Sequence, residues 1–547
     1  MSNEFKNEIF IKKTQEKYVA DSLYSDIFVK DKFIDNSIKQ TIIKDRRSNT
    51  IKNNLKDLDK KGEVEGIIAY ENLRSYPYNF LCIKSMKIVN EINNHGTVHI
   101  EGIIDQEIKD DYVYSTEELS PISIYCQKDK SFEYLFNGNV TNIKTICQNE
   151  FYYVYIEAKS YSYTMDIYKN YRDFQNVNMT THELIDSVME SYPNTNYEIN
   201  IPNEAIGNFI LQYNETDYEF LKRILSKYSD VIICDVRDEN SYIYFGIPDI
   251  KSKAKFSLSN YYISKDVYEY DDMIKNYNSN ISENSYITYK VWGENILNVG
   301  ENLPINNQNL YVKKAEYIMK DEKIENVYYL RLKDGLKSKK LYNMNLIGVS
   351  IYGNILEVKR DKVKVNLEIS NDIKTEEAYW FPYATPAASP DGGGWYCMPE
   401  EGERIRLNLP TKDEQDAFVV NAIDGYAPDE SIYEEGSSNE RMSTPDNKSL
   451  KTDANKEIKF TPDGVFMEAD GNQALIKLNK DGTVEIKGQK NISIACSNNL
   501  TVTANKELSI KAQNNIDILD ETWGNIIMTG GNNIKVTGKN TNNNGQA

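Results

Sequence analysis

An eight-residue repeat near the C-terminus constrains the fold of this chain more than any other feature. Written in eights from Val484, the sequence reads VEIKGQKN, ISIACSNN, LTVTANKE, LSIKAQNN and IDILDETW, then, after the dipeptide GN, IIMTGGNN and IKVTGKNT. The first and third positions of every octad are apolar, and we predict that they form the core of this region. These residues are Val484, Ile486, Ile492, Ile494, Leu500, Val502, Leu508, Ile510, Ile516, Ile518, Ile526, Met528, Ile534 and Val536.

The regularity of this pattern is far beyond chance. At a hydrophobic content of 40%, fourteen independent positions would all be apolar about three times in a million. The fifth position is also small in every octad except the one that holds Asp520. Each octad offers one short strand and a tight turn, which is too little for one chain to bury alone. The repeat favours a trimeric, intertwined β-helix or β-prism, with a single-chain β-helix as the alternative.

The overall charge excludes one large class of functions. The chain has 547 residues with 64 Lys+Arg and 83 Asp+Glu, a formal net charge of −19. Binding to nucleic acid needs a concentrated excess of basic residues, so we expect no nucleic-acid partner. The N-terminal MSNEFKNEIFIKKTQ mixes charges with apolar residues, and no apolar run approaches 18 residues. We therefore expect synthesis in the cytoplasm without a signal peptide.

The pattern of short strands predicts a mainly β chain with a minority of helix. Residues 1–72 have no pattern that defines a fold, and we assign them to the same hub as residues 73–345. Residues 346–427 contain five alternating strands, the size of an OB-fold. Residues 428–450 are acidic and rich in turns, and are predicted to be a linker. Residues 451–547 form the β-helical region.

Two helices interrupt the β-rich first part of the chain. In THELIDSVMESY the apolar residues fall on one helical face after a cap at Thr180 or Thr181. In ETDYEFLKRILSKYSD they do the same, with Thr216 or Asp217 as the cap. The pattern alone indicates two helices that cover a sheet.

Four segments resemble one family in its own order along the chain. Residues 212–230, QYNETDYEFLKRILSKYSD, resemble the hub signature of VgrG-type spikes, and residues 157–185 resemble the segment that precedes it. Residues 378–423 resemble the OB-fold at the base of the spike, and residues 441–465 resemble the start of its β-helix. VgrG-type spikes are similar to the fused baseplate hub and cell-puncturing spike of myophage tails, phage-tail-like bacteriocins and type VI secretion systems.

The resemblance implies structural roles for two sets of residues. In the hub motif these are Gln212, Tyr213, Tyr218, Phe220, Leu221 and Arg223. In the collar formed by the OB-fold they are Trp380, Pro382, Asp391, Gly392, Trp395, Pro399, Gly402 and Asp416.

The resemblance also implies an assembly. The chain would be a homotrimer at the centre of a baseplate, in contact with the tail tube protein and other baseplate proteins. Its spike would be driven into the target cell envelope by sheath contraction, from a virion or phage-tail-like particle released by lysis or from a secretion system. The tip would be covered by the polar tail NNNGQA or, as we favour, by a separate PAAR-type protein.

The chemistry of the sequence does not indicate an enzyme. His95, His99 and His182 are the only histidines, and the six cysteines form no CxxC pair, so we expect no metal and no cofactor. The glycines at 392–394 lack the Lys and Ser/Thr of a phosphate-binding loop, and no GxSxG motif occurs. Two alternatives remain: a peptidoglycan hydrolase with an unrecognised site, and a trimeric receptor-binding fibre or adhesin.

The charge is unevenly distributed along the chain. Residues 484–541 hold six Lys and five acidic residues, a net charge of +1, and the last six residues hold none. The preceding 483 residues therefore carry −20. A trimer would concentrate about −60 in its hub and collar, which predicts basic partner surfaces or outward-facing acids.

Overall fold

A computed structural model describes residues 68–128, 131–252, 260–277, 280–305, 308–320, 323–369, 372–387, 395–423, 446–452, 454–471, 473–518 and 537. The described chain is rich in β-strands, which confirms the predicted mainly β fold. It divides into two compact units, at residues 1–425 and 426–547. None of the helices in these described stretches has the length and apolar character needed to span a bilayer.

One large antiparallel sheet dominates the first unit. Its strands, numbered in chain order, are β1 (Leu73–Tyr76), β2 (Cys82–Glu91), β3 (Thr97–Ile104), β4 (Pro121–Lys128), β5 (Ser131–Gln148), β6 (Phe151–Ser160), β12 (Tyr261–Lys265), β13 (Ile287–Gly293), β14 (Asn302–Ile305), β15 (Gln308–Lys320) and β16 (Lys323–Leu332). They pair in the order β1-β4-β5-β6-β3-β2-β15-β16-β13-β12, and β14 pairs with β15. Strand β3 shows why the sheet has one core face, since Val98 and Ile100 are buried while His99 between them is exposed.

Four α-helices and two small sheets complete this part of the described chain. The helices are α1 (Asp111–Ser115), α2 (Thr181–Met189), α3 (Asp217–Ser226) and α4 (Val267–Tyr277). One small sheet pairs β7 (Lys169–Phe174) with β9 (Ile210–Thr216), and the other holds β8 (Asn196–Ile199), β10 (Ile232–Asp235) and β11 (Tyr242–Phe245). Helices α2 and α3 bury their apolar faces in one core with these strands, as the sequence predicts.

The caps of α2 and α3 are Thr180 and Thr216, the first of the two candidates in each case. Both make a capping box, in which the threonine hydroxyl accepts from the N3 backbone N–H and the N3 glutamate accepts from the backbone N–H of the threonine. The N3 residues are Glu183 and Glu219. Each helix therefore begins where its orphan N–H groups are satisfied locally.

A five-stranded barrel follows in the same unit. Its strands are β17 (Val349–Lys359), β18 (Lys362–Leu367), β19 (Trp380–Pro382), β20 (Arg404–Leu409) and β21 (Phe418–Ile423). They pair in the order β19-β18-β17-β20-β21, and a parallel bridge between Tyr383 and Val419 closes the ring. This cyclic order, with one parallel contact between the third and fifth strands, is the connectivity of an OB-fold, as predicted.

The second unit begins with a meander of five antiparallel strands. They are β22 (Lys448–Lys451), β23 (Lys456–Thr461), β24 (Gly464–Ala469), β25 (Ala474–Asn479) and β26 (Val484–Gly488), and they pair in chain order. Strand β22 starts inside the stretch that the sequence predicts to be linker. Strand β26 coincides with the first octad, and no strand is assigned in residues 489–518.

Candidate functional site

The sheet of strands β22–β26, here called the meander sheet, has one apolar face. Strand register aligns two apolar rows across it, because side chains two residues apart on a strand share a face. The first row is Leu450, Ile458, Met467, Ile476 and Ile486, and the second is Phe460, Val465, Leu478 and Val484. Most of these side chains are exposed within the single chain; Phe460 is 53% exposed.

The opposite face of the meander sheet is mainly charged. Its side chains lie in two rows, one of Ser449, Lys459, Phe466, Lys477 and Glu485 and one of Lys451, Glu457, Glu468, Leu475 and Lys487. The ammonium group of Lys477 lies 5.0 Å from the centroid of the Phe466 ring, and Leu475 is buried. Sequence analysis did not single out the apolar rows before Val484, although the alternation in KEIKFT and ALIKLN is a period-two signal that could have found them.

The octads, from β26 onward, also have exposed apolar side chains. Ten of the fourteen predicted core residues lie in the described part of the chain, and all ten are between 53% and 69% exposed. Ile526, Met528, Ile534 and Val536 lie outside the described residues. Isolated exposed apolar residues are normal, but a contiguous row of this length marks an interaction surface.

The backbone of the octads repeats with the same period as their apolar side chains. Bends recur every eight residues, at 489–490, 497–498, 505–506 and 513–514, so the predicted period exists in the chain path. Among the described residues, no backbone hydrogen bond involves residues 490–518. In residues 490–518 both the apolar side chains and the backbone groups are therefore left open to contact with another polypeptide.

A second candidate site is the buried junction between α3 and the barrel. The guanidinium group of Arg223 donates to both carboxylate oxygens of Glu215 at 2.9 Å and to Glu414 at 2.6 Å. Arg223 is 3% exposed, and Glu414 lies in the 3-10 helix between β20 and β21. Burial raises the pKa of the Glu215 carboxyl, and the hydrogen bonds from Arg223 act against that rise.

The Asp217 carboxylate organises the other side of α3. It is 1% exposed and accepts four hydrogen bonds at 2.8 to 3.0 Å. The donors are Asn170, Arg172, Tyr192 and Gln212. A buried charge is tolerated where donors satisfy it, so these contacts connect β7, β9 and the turn after α2 to the start of α3.

Sequence analysis selected Gln212 and Arg223 but missed their partners. Glu215 and Glu414 were not singled out, and Asp217 was considered only as a cap. An acidic residue at a helix start is usually explained by the helix dipole, so its burial left no separate signal. Glu414 is 191 residues from Arg223, and only folding brings the two together.

The other predicted hub residues lie around the same helix. Phe220 and Leu221 are buried, and the Phe220 ring stacks on Phe174 with centroids 5.6 Å apart. Tyr218 is buried against the His95 ring at 4.0 Å, and Tyr213 contacts Tyr171 edge-on at 5.0 Å. Their structural role stays a prediction.

The predicted collar residues are more scattered. Trp380 is half-buried under the ammonium group of Lys364, and Pro399 is buried. Pro382 and Trp395 are exposed, and Gly402 lies in an exposed turn with φ of 86°. Asp416 accepts from the Thr411 hydroxyl at 2.6 Å. Asp391 and Gly392 lie outside the described residues.

Near α3 the structure places a histidine, a serine and an aspartate together. His95 Nδ1 lies 2.8 Å from Ser162 Oγ, and His95 Nε2 lies 3.4 Å from Asp166 Oδ2. Ser162 is 3% exposed, so its hydroxyl is closed to a substrate. The nitrogens are also reversed relative to a serine-protease triad, in which Nε2 faces the serine. This arrangement holds the turn before β3 against α3.

The remaining histidines show no metal site either. His99 is exposed on β3 beside Glu157 at 3.5 Å, and His182 contacts the Ile201 carbonyl at 3.0 Å. His95 and His99 therefore do not share a strand face. Within the residues that the structure describes, no group of three His, Cys, Asp or Glu side chains could hold a metal ion.

Solved structures similar to this chain include type VI secretion and phage tail proteins. The E. coli c3393 protein is a type VI secretion component with similarity to the T4 bacteriophage tail proteins gp27 and gp5. It is 9% identical to this chain, and the match covers 64% of this chain and 99% of c3393 with a TM-score of 0.45. VgrG in the Francisella PdpA–VgrG complex is 10% identical over 83% of this chain and 93% of its own, with a TM-score of 0.47. A 43 kDa tail protein from prophage MuSo2 of Shewanella oneidensis is 12% identical to this chain. The match covers 51% of this chain and 99% of the tail protein, with a TM-score of 0.37. No protein-family model and no curated protein matches the chain.

Proposed function

We propose that this chain is the structural hub and membrane-piercing spike at the baseplate centre of a contractile phage-tail-like particle. Residues 68–423 would form the hub and collar, and residues from 446 would form the spike as a homotrimer. The observation that carries the proposal is the octad row, whose described residues, Val484 to Ile518, are exposed.

The homotrimer is supported by the chemistry of the octads. Each chain contributes the same apolar first and third positions, so identical copies are matching partners for one another. Three chains share the enclosure of each layer, whereas one octad is too short to close a circuit alone. A closed prism also leaves no strand edge open, which gives the stiffness that a piercing element needs.

The hub and collar are supported by the Arg223 junction. A buried guanidinium that joins α3 to the barrel resists shear between them, because separating the charges would leave each of them buried and unpaired. Force from sheath contraction could then pass from the hub into the barrel without a hinge at this contact. We propose the tail tube protein and other baseplate proteins as partners of the hub, and a PAAR-type protein as partner of the tip.

The proposed role needs no catalytic residue. A peptidoglycan hydrolase would release soluble fragments from cell walls in a purified assay. A receptor-binding fibre would lie at the periphery of the particle, whereas a spike lies on its axis.

The decisive experiment measures the native mass of the full chain and of a chain that lacks residues 484–547. We expect a trimer for the full chain and a weaker or absent trimer for the deletion. A monomeric full chain at micromolar concentration and in assembled particles would refute the proposal. Antibody labelling of assembled particles should place residues 484–547 on the particle axis.

A further inference from the structure

The octads specify which face of each chain is buried but do not specify a register. Moving one chain by eight residues places apolar first and third positions on apolar first and third positions again. The small fifth positions also coincide after such a shift. Repeats with near-identical side chains are prone to slippage, because a shifted pairing loses contacts only at its ends.

The meander sheet lacks this degeneracy. Along its first row the steps between consecutive residues are eight, nine, nine and ten, from Leu450 through Ile458, Met467 and Ile476 to Ile486. Its second row differs in bulk from strand to strand, with Phe460 beside Val465, and Lys448 at the end of the row. A shift by one strand would therefore oppose side chains of different volume and charge, which costs packing energy.

The sheet is also a preformed surface. Its strands pair within one chain, from Lys448 in β22 to Gly488 in β26, so the sheet forms without another chain and leaves open only the outer edges of β22 and β26. Its apolar face is nevertheless open, with Met467 46% and Ile476 42% exposed. The same face runs directly into the octads through Val484 and Ile486, which belong to both.

We propose that the apolar face of the meander sheet docks on the same face of two further copies and sets the register in which the octads pair. This inference rests on the proposed trimeric spike. A second copy fits the face better than a different protein, because the face continues without a break into the repeat that needs identical partners. The sheet, which includes the first octad, would dock first as a folded unit, and the following octads, whose described residues 492–518 make no backbone hydrogen bonds, would then wind in register.

The test measures register directly in the full chain. A single labelling site is made by Lys506→Cys in a background of Cys82→Ser, Cys147→Ser, Cys397→Ser and Cys496→Ser, since these four cysteines are exposed or half-buried and the other two are buried. Double electron–electron resonance between nitroxides at residue 506 then reports distances between chains. In a symmetric trimer in register we expect one distance.

Two matched variants separate the faces of the meander sheet. Met467→Lys places a charge on the apolar face, and we expect trimers with a second distance from slipped chains. Glu468→Lys places the same charge on the opposite face, and we expect a single distance. If Met467→Lys prevents assembly, Met467→Ala replaces it. A single distance in trimers of whichever Met467 variant assembles would overturn the proposal.

The dipeptide at residues 524–525, which interrupts the octads, provides the competing source of register. Deleting it in the labelled chain should leave one distance if the sheet sets the register. If this deletion creates a second distance and the Met467 variant does not, the interruption sets the register and the proposal is wrong. An unlabelled full chain that is monomeric would instead refute the proposed trimer.

Discussion

The two units of the chain differ in how far they bury their apolar side chains. Residues 68–423 contain cores in which Tyr317, Phe220 and Phe381 are at most 1% exposed, although the edge strand β12 leaves its apolar residues exposed. In residues 446–518, Ile494 and Ile510 are 69% and 68% exposed. The first unit contains cores of its own, whereas the second would obtain burial from other chains in the proposed trimer. Because of this difference, changes in the two units should have different concentration dependence.

The largest effect is expected in the octads. Ile494→Asp would place a carboxylate in the core of each of three chains, and we expect loss of the trimer at micromolar concentration, measured as native mass. Ser493→Asp puts the same charge on the neighbouring side chain, which points away from the apolar row, and should leave the trimer intact. If both variants remain trimeric, the octads do not form the interface.

The second effect is expected at the Arg223 junction. Arg223→Met would leave Glu215 and Glu414 buried without their cation, and we expect a loss of about 3–5 kcal/mol in the free energy of unfolding of the first unit. The loss should be independent of protein concentration in urea titrations. Arg404→Met is the control, because Arg404 pairs with Glu368 at an exposed site and should cost less than about 1 kcal/mol. Equal losses would contradict the assigned role of the junction.

A smaller effect is expected at the helix caps. Thr180→Ala should cost about 1 kcal/mol, since it removes the capping bond of α2. Thr216→Ala should cost more, because the Thr216 hydroxyl also donates to the Asp166 carboxylate at 2.6 Å. Urea unfolding of the two variants side by side gives the difference. A larger loss for Thr180→Ala would contradict the importance of the Asp166 contact.

The smallest effect is expected from His95. Burial lowers the pKa of its imidazole, which the nearby Lys159 and Lys222 also lower and Asp166 partly restores. The folded state therefore binds fewer protons than the unfolded state, so stability should fall as pH drops below the usual value near 6.5 toward the lowered pKa. Unfolding from pH 7.5 to 5 should show a loss that His95→Gln reduces. His99→Gln, at an exposed site, should leave the loss unchanged; an equal reduction would exclude His95 as its source.

Some features of the fold could be predicted from local patterns. The capped helices α2 and α3 follow from apolar spacing with Thr and Glu three residues apart, which is a local physical signal. The OB-fold follows from five alternating strands in about eighty residues, and the octads follow from their strict period. Only part of the buried polar network could be predicted in this way, because Arg223 meets Glu414 through chain topology and Asp217 has the sequence signature of an ordinary helix start.

The sequence by itself determined the apolar pattern of the C-terminal region, because a period of eight with two apolar positions offers more apolar surface than one octad can enclose. It also determined the helix starts, where the capping groups are neighbours along the chain. Tertiary structure alone decided which strands of the large sheet lie side by side, which carboxylates surround Arg223, and that the strands before the octads form one continuous apolar face. These contacts join residues far apart in sequence, so their energies depend on a register and a topology that no local pattern encodes.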